Sequence, residues 1–148
     1  DLPQRHDPLG LDRTLALKML LNAHSTAVMA RLGRTVGNTM TAVQPGNLKL
    51  IGRATYLIQS HVNAVLDGQR WRARHGNTAP LSYAEANRVL YEAIDQRARL
   101  PEAGQLPEVE LAIVAVLERL DSGKPLDWTD AARQLREKGL NGYLRERN

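Results

Sequence analysis

The chain contains no cysteine, and this absence excludes several kinds of chemistry. Without cysteine there is no disulfide, no thiolate nucleophile and no zinc site built on sulfur. The absence also fits a protein of the reducing cytoplasm, which is the location that we expect. The four histidines lack helical spacing to one another or to a carboxylate, so the sequence predicts no metal site and no cofactor; they are His6, His24, His61 and His75.

Long apolar runs and clustered positive charge are also missing. No stretch approaches the roughly 20 apolar residues of a membrane span, and residues 1–10 lack the anatomy of a signal peptide. The 20 Lys and Arg residues outnumber the 16 Asp and Glu residues, but they are scattered along the chain. Because nucleic-acid binding requires a clustered basic patch, we expect no nucleic acid as partner. Because long apolar runs are missing, we expect no membrane as partner either.

The chain does have enough length and apolar content for a core. It has 148 residues, of which 43% are hydrophobic, as is typical of a globular protein. No run of β-branched residues alternates at strand spacing, so we predict an all-α fold of five to six helices. The predicted helices cover residues 13–32, 48–67, 82–99, 107–122 and 127–138, with a short piece at 34–42 and one more apolar turn at 139–144.

The first predicted helix has apolar side chains on almost all sides. At 100° per residue, only a narrow polar stripe interrupts them, formed by Lys18, Asn22, Ser25 and Met29. Such a helix requires cover on most of its surface. We therefore expect the chain to be a fragment of a longer protein and to associate as a two-fold homodimer through this helix.

Local signals mark several helix ends. Gly33 can adopt the left-handed conformation that ends the first helix. Asn38 and Asn47 are typical of a turn and a helix cap, respectively. Ser82 and Glu85 have the spacing of a capping box, in which each side chain binds the other residue's backbone amide.

Four sequence pieces in the first 50 residues together resemble one known family. The pieces are Lys18-Met19-x-Leu21-Asn22, Ser25-Thr26-x-x-Met29-x-Arg31-Leu32-Gly33, Gly37-Asn38-x-Met40 and Pro45-x-Asn47-x-Lys49-Leu50. In this order and spacing they resemble the C-terminal part of the N-acetylmuramic acid 6-phosphate etherases. Those enzymes are relatives of the glucokinase regulatory protein, within the sugar-isomerase (SIS) phosphosugar-binding fold.

The resemblance also implies an organisation of the chain. Some etherases end in a small helical segment similar to ubiquitin-associated (UBA) domains, and residues 82–94, 110–117 and 139–145 resemble its three helical blocks. We therefore expect residues 1–68 to be the C-terminal helices of a SIS-like domain, which belongs to an α/β protein. Residues 69–80 are then a linker, and residues 81–148 a small UBA-like helical domain.

Two functions follow from the resemblance. In the first, the chain is a non-catalytic portion of an etherase-like lyase, which removes a lactyl ether from an amino-sugar phosphate during cell-wall recycling. In the second, the parent is a phosphosugar-sensing regulator, and these helices form its lid or partner-binding surface. The etherases carry a Ser-Thr-Arg-Met-Lys-like element where this chain has Pro8-Leu9-Gly10-Leu11-Asp12, which favours the second; the Gly37-Asn38 motif favours the first.

The sequence predicts no catalytic residue, and its candidate sugar-phosphate contacts lie on the first helix. They are Arg13, Lys18, Asn22 and His24. A structural role competes with each: His24 can pack against a neighbour, and the polar stripe can satisfy backbone groups. In the linker, basic residues surround Trp71, and they can either contact a phosphate or remain solvated; they are Arg70, Arg72, Arg74 and His75.

Overall fold

The computed structural model describes residues 7–101 and 104–147, and the predicted all-α fold is confirmed there. The described part contains six helices and one small hairpin. Their bounds are α1 Leu11–Arg31, β1 Thr35–Val36, β2 Thr39–Met40, α2 Leu48–Leu66, α3 Gln69–His75, α4 Tyr83–Arg99, α5 Glu108–Ser122 and α6 Trp128–Arg145. The chain divides into two compact units, Asp1–Arg34 and Thr35–Asn148.

The first unit contains α1. This helix begins two residues before the predicted start, because the Asp7 carboxylate accepts hydrogen bonds from the backbone amides of Leu11 at 2.8 Å and Asp12 at 3.0 Å. Gly33 has a φ of 70°, and the amide of Arg34 donates to the carbonyl of Met29 at 3.0 Å, so the predicted helix end is confirmed. No residue of α1 is buried.

The core of the second unit is built around α5. Ten consecutive residues of this helix, 108–117, are buried, as expected for a helix enclosed on all sides. It packs against α2, α4 and α6. Helix α2 contributes one apolar face to this core, which consists of Ala54, Leu57, Ile58, Val62, Val65 and Leu66. The helix enclosed by the rest of this unit is therefore α5.

Residues 35–40 form a small antiparallel hairpin, within the segment 34–42 that the sequence predicted only as a short piece. Thr35 pairs with Met40 and Val36 pairs with Thr39. Gly37 takes a φ of 58° at the turn, beside Asn38. Strands of two residues are too short to show alternation, so this hairpin has no periodic signal in the sequence. Its first strand is tied to α6, because Asn141 Nδ2 donates to the Thr35 carbonyl at 2.7 Å.

The predicted linker is partly helical. Residues 69–75 form α3, where a polar loop was expected, because Trp71 anchors the segment with only 3% of its surface exposed. The indole Nε1 of Trp71 donates to Thr78 Oγ1 at 2.9 Å. The helices before and after this segment share one hydrophobic core. The domain boundary that the family resemblance implies at 69–80 stays a prediction.

The predicted caps are mostly confirmed. Asn47 Oδ1 accepts from the amide of Leu50 at 3.0 Å, and Ser82 Oγ accepts from the amide of Glu85 at 3.2 Å. The capping box is incomplete, however, because Glu85 Oε1 accepts from Arg119 Nη2 at 2.6 Å. The charge-assisted bond to a guanidinium is stronger than the expected bond to an amide, and it joins α4 to α5.

Candidate functional site

The four predicted sugar-phosphate contacts all lie on α1 and are exposed. Arg13 and His24 fall on one stripe of the helix, about 16 Å apart along its axis. Lys18 and Asn22 are one turn apart on a stripe roughly 140–180° away. Helix α1 by itself therefore brings only Lys18 and Asn22 close enough to share one phosphate, and sugar-phosphate binding by the four residues stays a prediction.

Ser25 illustrates the structural role that competes with ligand binding. Its hydroxyl donates to the carbonyl of Asn22 at 3.1 Å. Such bonds to the preceding turn are the usual use of a serine inside a helix. The Ser25 hydroxyl proton is therefore engaged within α1.

The largest feature of α1 is its exposed apolar surface, which we call the α1 apolar surface. Its members have 43–66% of their surface exposed, and they are Leu11, Leu15, Leu17, Met19, Leu20, Leu21, Val28 and Leu32. Full burial of each such side chain stabilises by about 1.5–3 kcal/mol relative to exposure. Exposed apolar patches of this kind are typical of interaction surfaces.

A second candidate site lies in the other unit, at the end of α3. A cavity of about 240 Å³ is lined by Arg70, Trp71, Arg74, His75, Glu146 and Arg147, and we call it the α3 pocket. His75 Nε2 lies 2.8 Å from Asp121 Oδ1, and its ring lies 4.4 Å from that of Trp71. These contacts fix one wall of the pocket between α3 and α5.

Arg147 also lines the pocket. Its Nη2 donates to Glu118 Oε1 at 2.7 Å, and its guanidinium carbon lies 3.8 Å from the centre of the Tyr143 ring. The Tyr143 hydroxyl donates to the same Glu118 oxygen at 3.0 Å. Burial, together with the negative charge of Glu118, raises the pKa of Tyr143 above its ordinary value. The Arg147 side chain is therefore held by both a charge and an aromatic face.

The sequence singled out Arg70, Arg74 and His75 of this pocket, but neither Arg147 nor the carboxylates that these basic residues contact. Glu118 and Asp121 are three residues apart on α5, so they lie on one face of that helix. A pair of carboxylates at the polar end of an otherwise apolar helix was the available signal. The pairing with α3 and α6 could not be read from the sequence, because Asp121 lies 46 residues from His75.

The described residues, 7–101 and 104–147, contain no group of three or more His, Asp or Glu side chains that could hold a metal ion. None of their helices is both long enough and apolar enough to cross a membrane.

Comparison with known proteins places the chain beside one group of enzymes. No family model and no solved structure matches it. N-acetylmuramic acid 6-phosphate etherase from Porphyromonas gingivalis is 43% identical over 63 residues, which is 42% of this chain and 23% of that protein. The etherase from Bacillus subtilis is 46% identical over 56 residues, or 38% of this chain and 18% of that protein.

A longer match is found in Synechococcus. Its N-acetylmuramic acid 6-phosphate etherase is 36% identical over 94 residues, covering 57% of this chain and 29% of that protein. The chain thus spans about a fifth to under a third of the length of these relatives. Over part of its length, the chain is similar to N-acetylmuramic acid 6-phosphate etherases.

Proposed function

We propose that this chain is the C-terminal helical portion of a SIS-type phosphosugar-binding protein resembling N-acetylmuramic acid 6-phosphate etherase. The partial identity to enzymes of that name supports the proposal. In it, residues 1–68 belong to the phosphosugar domain and residues 81–148 to a small UBA-like domain. The full protein acts in the cytoplasm as a homodimer on a sugar phosphate from cell-wall recycling.

The α1 apolar surface is the observation that carries this proposal. A helix with large side chains exposed on several sides requires more than one neighbour, because a single helix covers only one stripe. A phosphosugar domain on one side and a second protomer on the other supply that cover. Its apolar contacts then hold Lys18 and Asn22, which lie one turn apart, at the edge of a sugar-phosphate site.

The chain itself is proposed to be non-catalytic. Elimination of an ether requires a positioned base and acid in a site that excludes water. Helix α1 contributes only one carboxylate, Asp12, and one histidine, His24, and no residue of the helix is buried. An exposed helix of this kind offers a phosphate weak contacts without a preorganised reaction site.

A chimera with the Bacillus subtilis etherase tests the proposal. The aligned C-terminal segment of that enzyme is replaced by this chain, and turnover of N-acetylmuramic acid 6-phosphate is measured. We expect the chimera to be active and dimeric, and purified residues 1–148 alone to be inactive. As a control, Leu17→Lys with Leu21→Lys in the chimera should abolish assembly, whereas Arg133→Gln on the exposed side of α6 should not. Turnover by residues 1–148 alone would overturn the non-catalytic role.

One observation favours a second function, a lid or partner-binding domain of a phosphosugar sensor. Where the etherases carry their hydroxyl-bearing element, this chain places the Asp7 carboxylate on the amides of Leu11 and Asp12. A negative side chain at this helix end competes with a phosphate for the same donors. A chimera that binds the substrate in calorimetry but does not turn it over would support the sensor and reject the etherase function.

A further inference from the structure

We propose that the α3 pocket is a binding site for a single phosphate group, held by the guanidinium groups of Arg70 and Arg74. The ligand is inorganic phosphate or the phosphate of a small monoester. This site uses only residues of the second unit and none of the predicted contacts on α1. It therefore stands or falls independently of the proposed function.

Arg70 and Arg74 keep unused hydrogen-bond donors. Within residues 7–101 and 104–147, the hydrogen bonds of Arg70 go to two backbone carbonyls, those of Arg145 at 3.5 Å and Glu146 at 3.2 Å, so no carboxylate neutralises it. Arg74 has one long contact of 3.4 Å to Asp121, and 70% of its side chain is exposed. Each guanidinium has five N–H groups, so both residues keep donors for a ligand.

The spacing of the two arginines suits a single phosphate group. Arg70 and Arg74 are four residues apart in α3, and residues at this spacing lie on the same face of a helix, about one turn apart. A phosphate group between them can accept hydrogen bonds from both guanidinium groups. The planar donor fork of arginine matches two oxygens of one phosphate.

The charges of the described residues around the pocket favour an anion. Glu146 Oε2 accepts from Lys138 Nζ at 2.6 Å, so the acidic residue of the lining already has a cation. Asp121 is shared by three basic side chains, those of Arg74, His75 and Arg147. Among the described residues, the cations in and next to the pocket are Arg70, Arg74, Lys138 and Arg147, and the carboxylates are Glu118, Asp121 and Glu146. In this set, cations exceed carboxylates by one before His75 is counted.

The size and rigidity of the pocket limit the ligand. Its volume of about 240 Å³ is smaller than the roughly 300–1,000 Å³ of sites that enclose a whole small molecule. It suits a phosphate group whose ester portion projects into solvent. The buried indole of Trp71 and the Arg147 side chain, fixed by Glu118 and Tyr143, keep the walls in place.

Nuclear magnetic resonance titration of ¹⁵N-labelled chain tests the site. Inorganic phosphate and glucose 6-phosphate are added separately, each against sodium chloride at matched ionic strength. We expect saturable shifts of the α3 amides with both phosphates and none with chloride. Equal affinities assign the site to the phosphate group alone, and tighter binding of glucose 6-phosphate assigns it to a sugar phosphate; both support the proposal. Equal shifts with chloride would overturn it.

Variants identify the residues that carry the binding. Arg70→Gln and Arg74→Gln should each weaken phosphate binding about tenfold, the usual loss of one charge-assisted hydrogen bond. Arg88→Gln is the matched control, because Arg88 pairs with Glu92 on the surface of α4. Arg74→Lys keeps the positive charge but removes the planar donor fork of the guanidinium group. If Arg70→Gln fails to fold, this variant takes its place in the binding measurement. Unchanged affinity in Arg74→Gln, with the fold intact by circular dichroism, contradicts the site.

Discussion

Thr41 donates its hydroxyl to Glu110 Oε1 at 2.8 Å, across 69 residues of sequence, and both side chains are buried. Thr41 follows directly after the hairpin that carries the Gly37-Asn38 motif, and Glu110 lies on the central helix α5. The bond therefore fastens a segment with family resemblance to the core of the second unit. Its strength can be measured by substitution.

Thr41→Val should lower the free energy of unfolding by about 1–3 kcal/mol, because it removes a donor from a buried carboxylate. Thr41→Ser keeps the hydroxyl and should lose less. Urea denaturation measures both. Thr39→Val is the control, since its hydroxyl bonds to Asn38 at an exposed position and its removal should change stability by less than about 0.5 kcal/mol. Equal losses for Thr41 and Thr39 would contradict the importance of the buried bond.

Asn47 belongs to the Pro-x-Asn-x-Lys-Leu motif, and the structure gives it a capping role at the start of α2. Asn47→Ala should destabilise the second unit by about 1 kcal/mol, because the amide of Leu50 loses its acceptor. Asn47→Asp should retain most of the stability, since it offers the same oxygen. Thermal unfolding compares the two. If both variants melt like the original chain, the motif has a role other than capping.

The raised pKa of Tyr143 predicts that the protein loses stability at alkaline pH. Its folded-state pKa is raised above the ordinary value of 10.0 by burial and by Glu118, so the folded protein favours the neutral phenol. Below about pH 10 this contribution is complete. Above it, the unfolded chain ionises first, and the free energy of unfolding falls by up to about 1.4 kcal/mol per pH unit.

Comparison with Tyr143→Phe isolates this effect. The variant should lose about 1 kcal/mol near neutral pH, because the bond to Glu118 is removed. It should then show a shallower decline of stability above pH 10 in urea denaturation. Parallel curves for the two proteins would show that Tyr143 ionises with the same pKa in both states.

Truncation tests where the folding units divide. Residues 35–148 contain the described core of the second unit and should unfold in one cooperative transition. Residues 81–148 should not fold alone, because this fragment lacks α2, which packs against α4 and α5. The core positions of Ile58, Val62 and the other buried α2 residues are then unfilled. Calorimetry of both fragments provides the measurement. A cooperative transition for 81–148 would instead favour the division at 69–80.

Much of the helical structure could be predicted because its signals are local. Gly33, Asn47, Ser82 and Asp127 each mark a helix end through contacts within a few residues. The apolar stripe of α2 is likewise repeated within one helix, so its buried face follows from local periodicity.

The remaining features depend on distant residues. Glu85 departs from its capping box because Arg119, 34 residues away, binds its carboxylate. Segment 69–75 is helical because Trp71 is buried in the core. The polar composition of the segment, which is typical of a loop, does not indicate this burial. The carboxylate that contacts His75 of the α3 pocket comes from α5, so only the fold brings Asp121 beside His75. No local pattern encodes these pairings.

Gly139 changes the phase of α6. Its φ of 62° and ψ of 163° interrupt the helix in a conformation essentially restricted to glycine. Ala131, Ala132 and Leu135 are buried before the break, and Leu140, Tyr143 and Leu144 after it. On a continuous helix, the centres of these two groups would be about 120° apart. A regular helix at position 139 would thus rotate Tyr143 away from α5 and take Arg147 with it, so a residue without a side chain sets the orientation of the pocket wall.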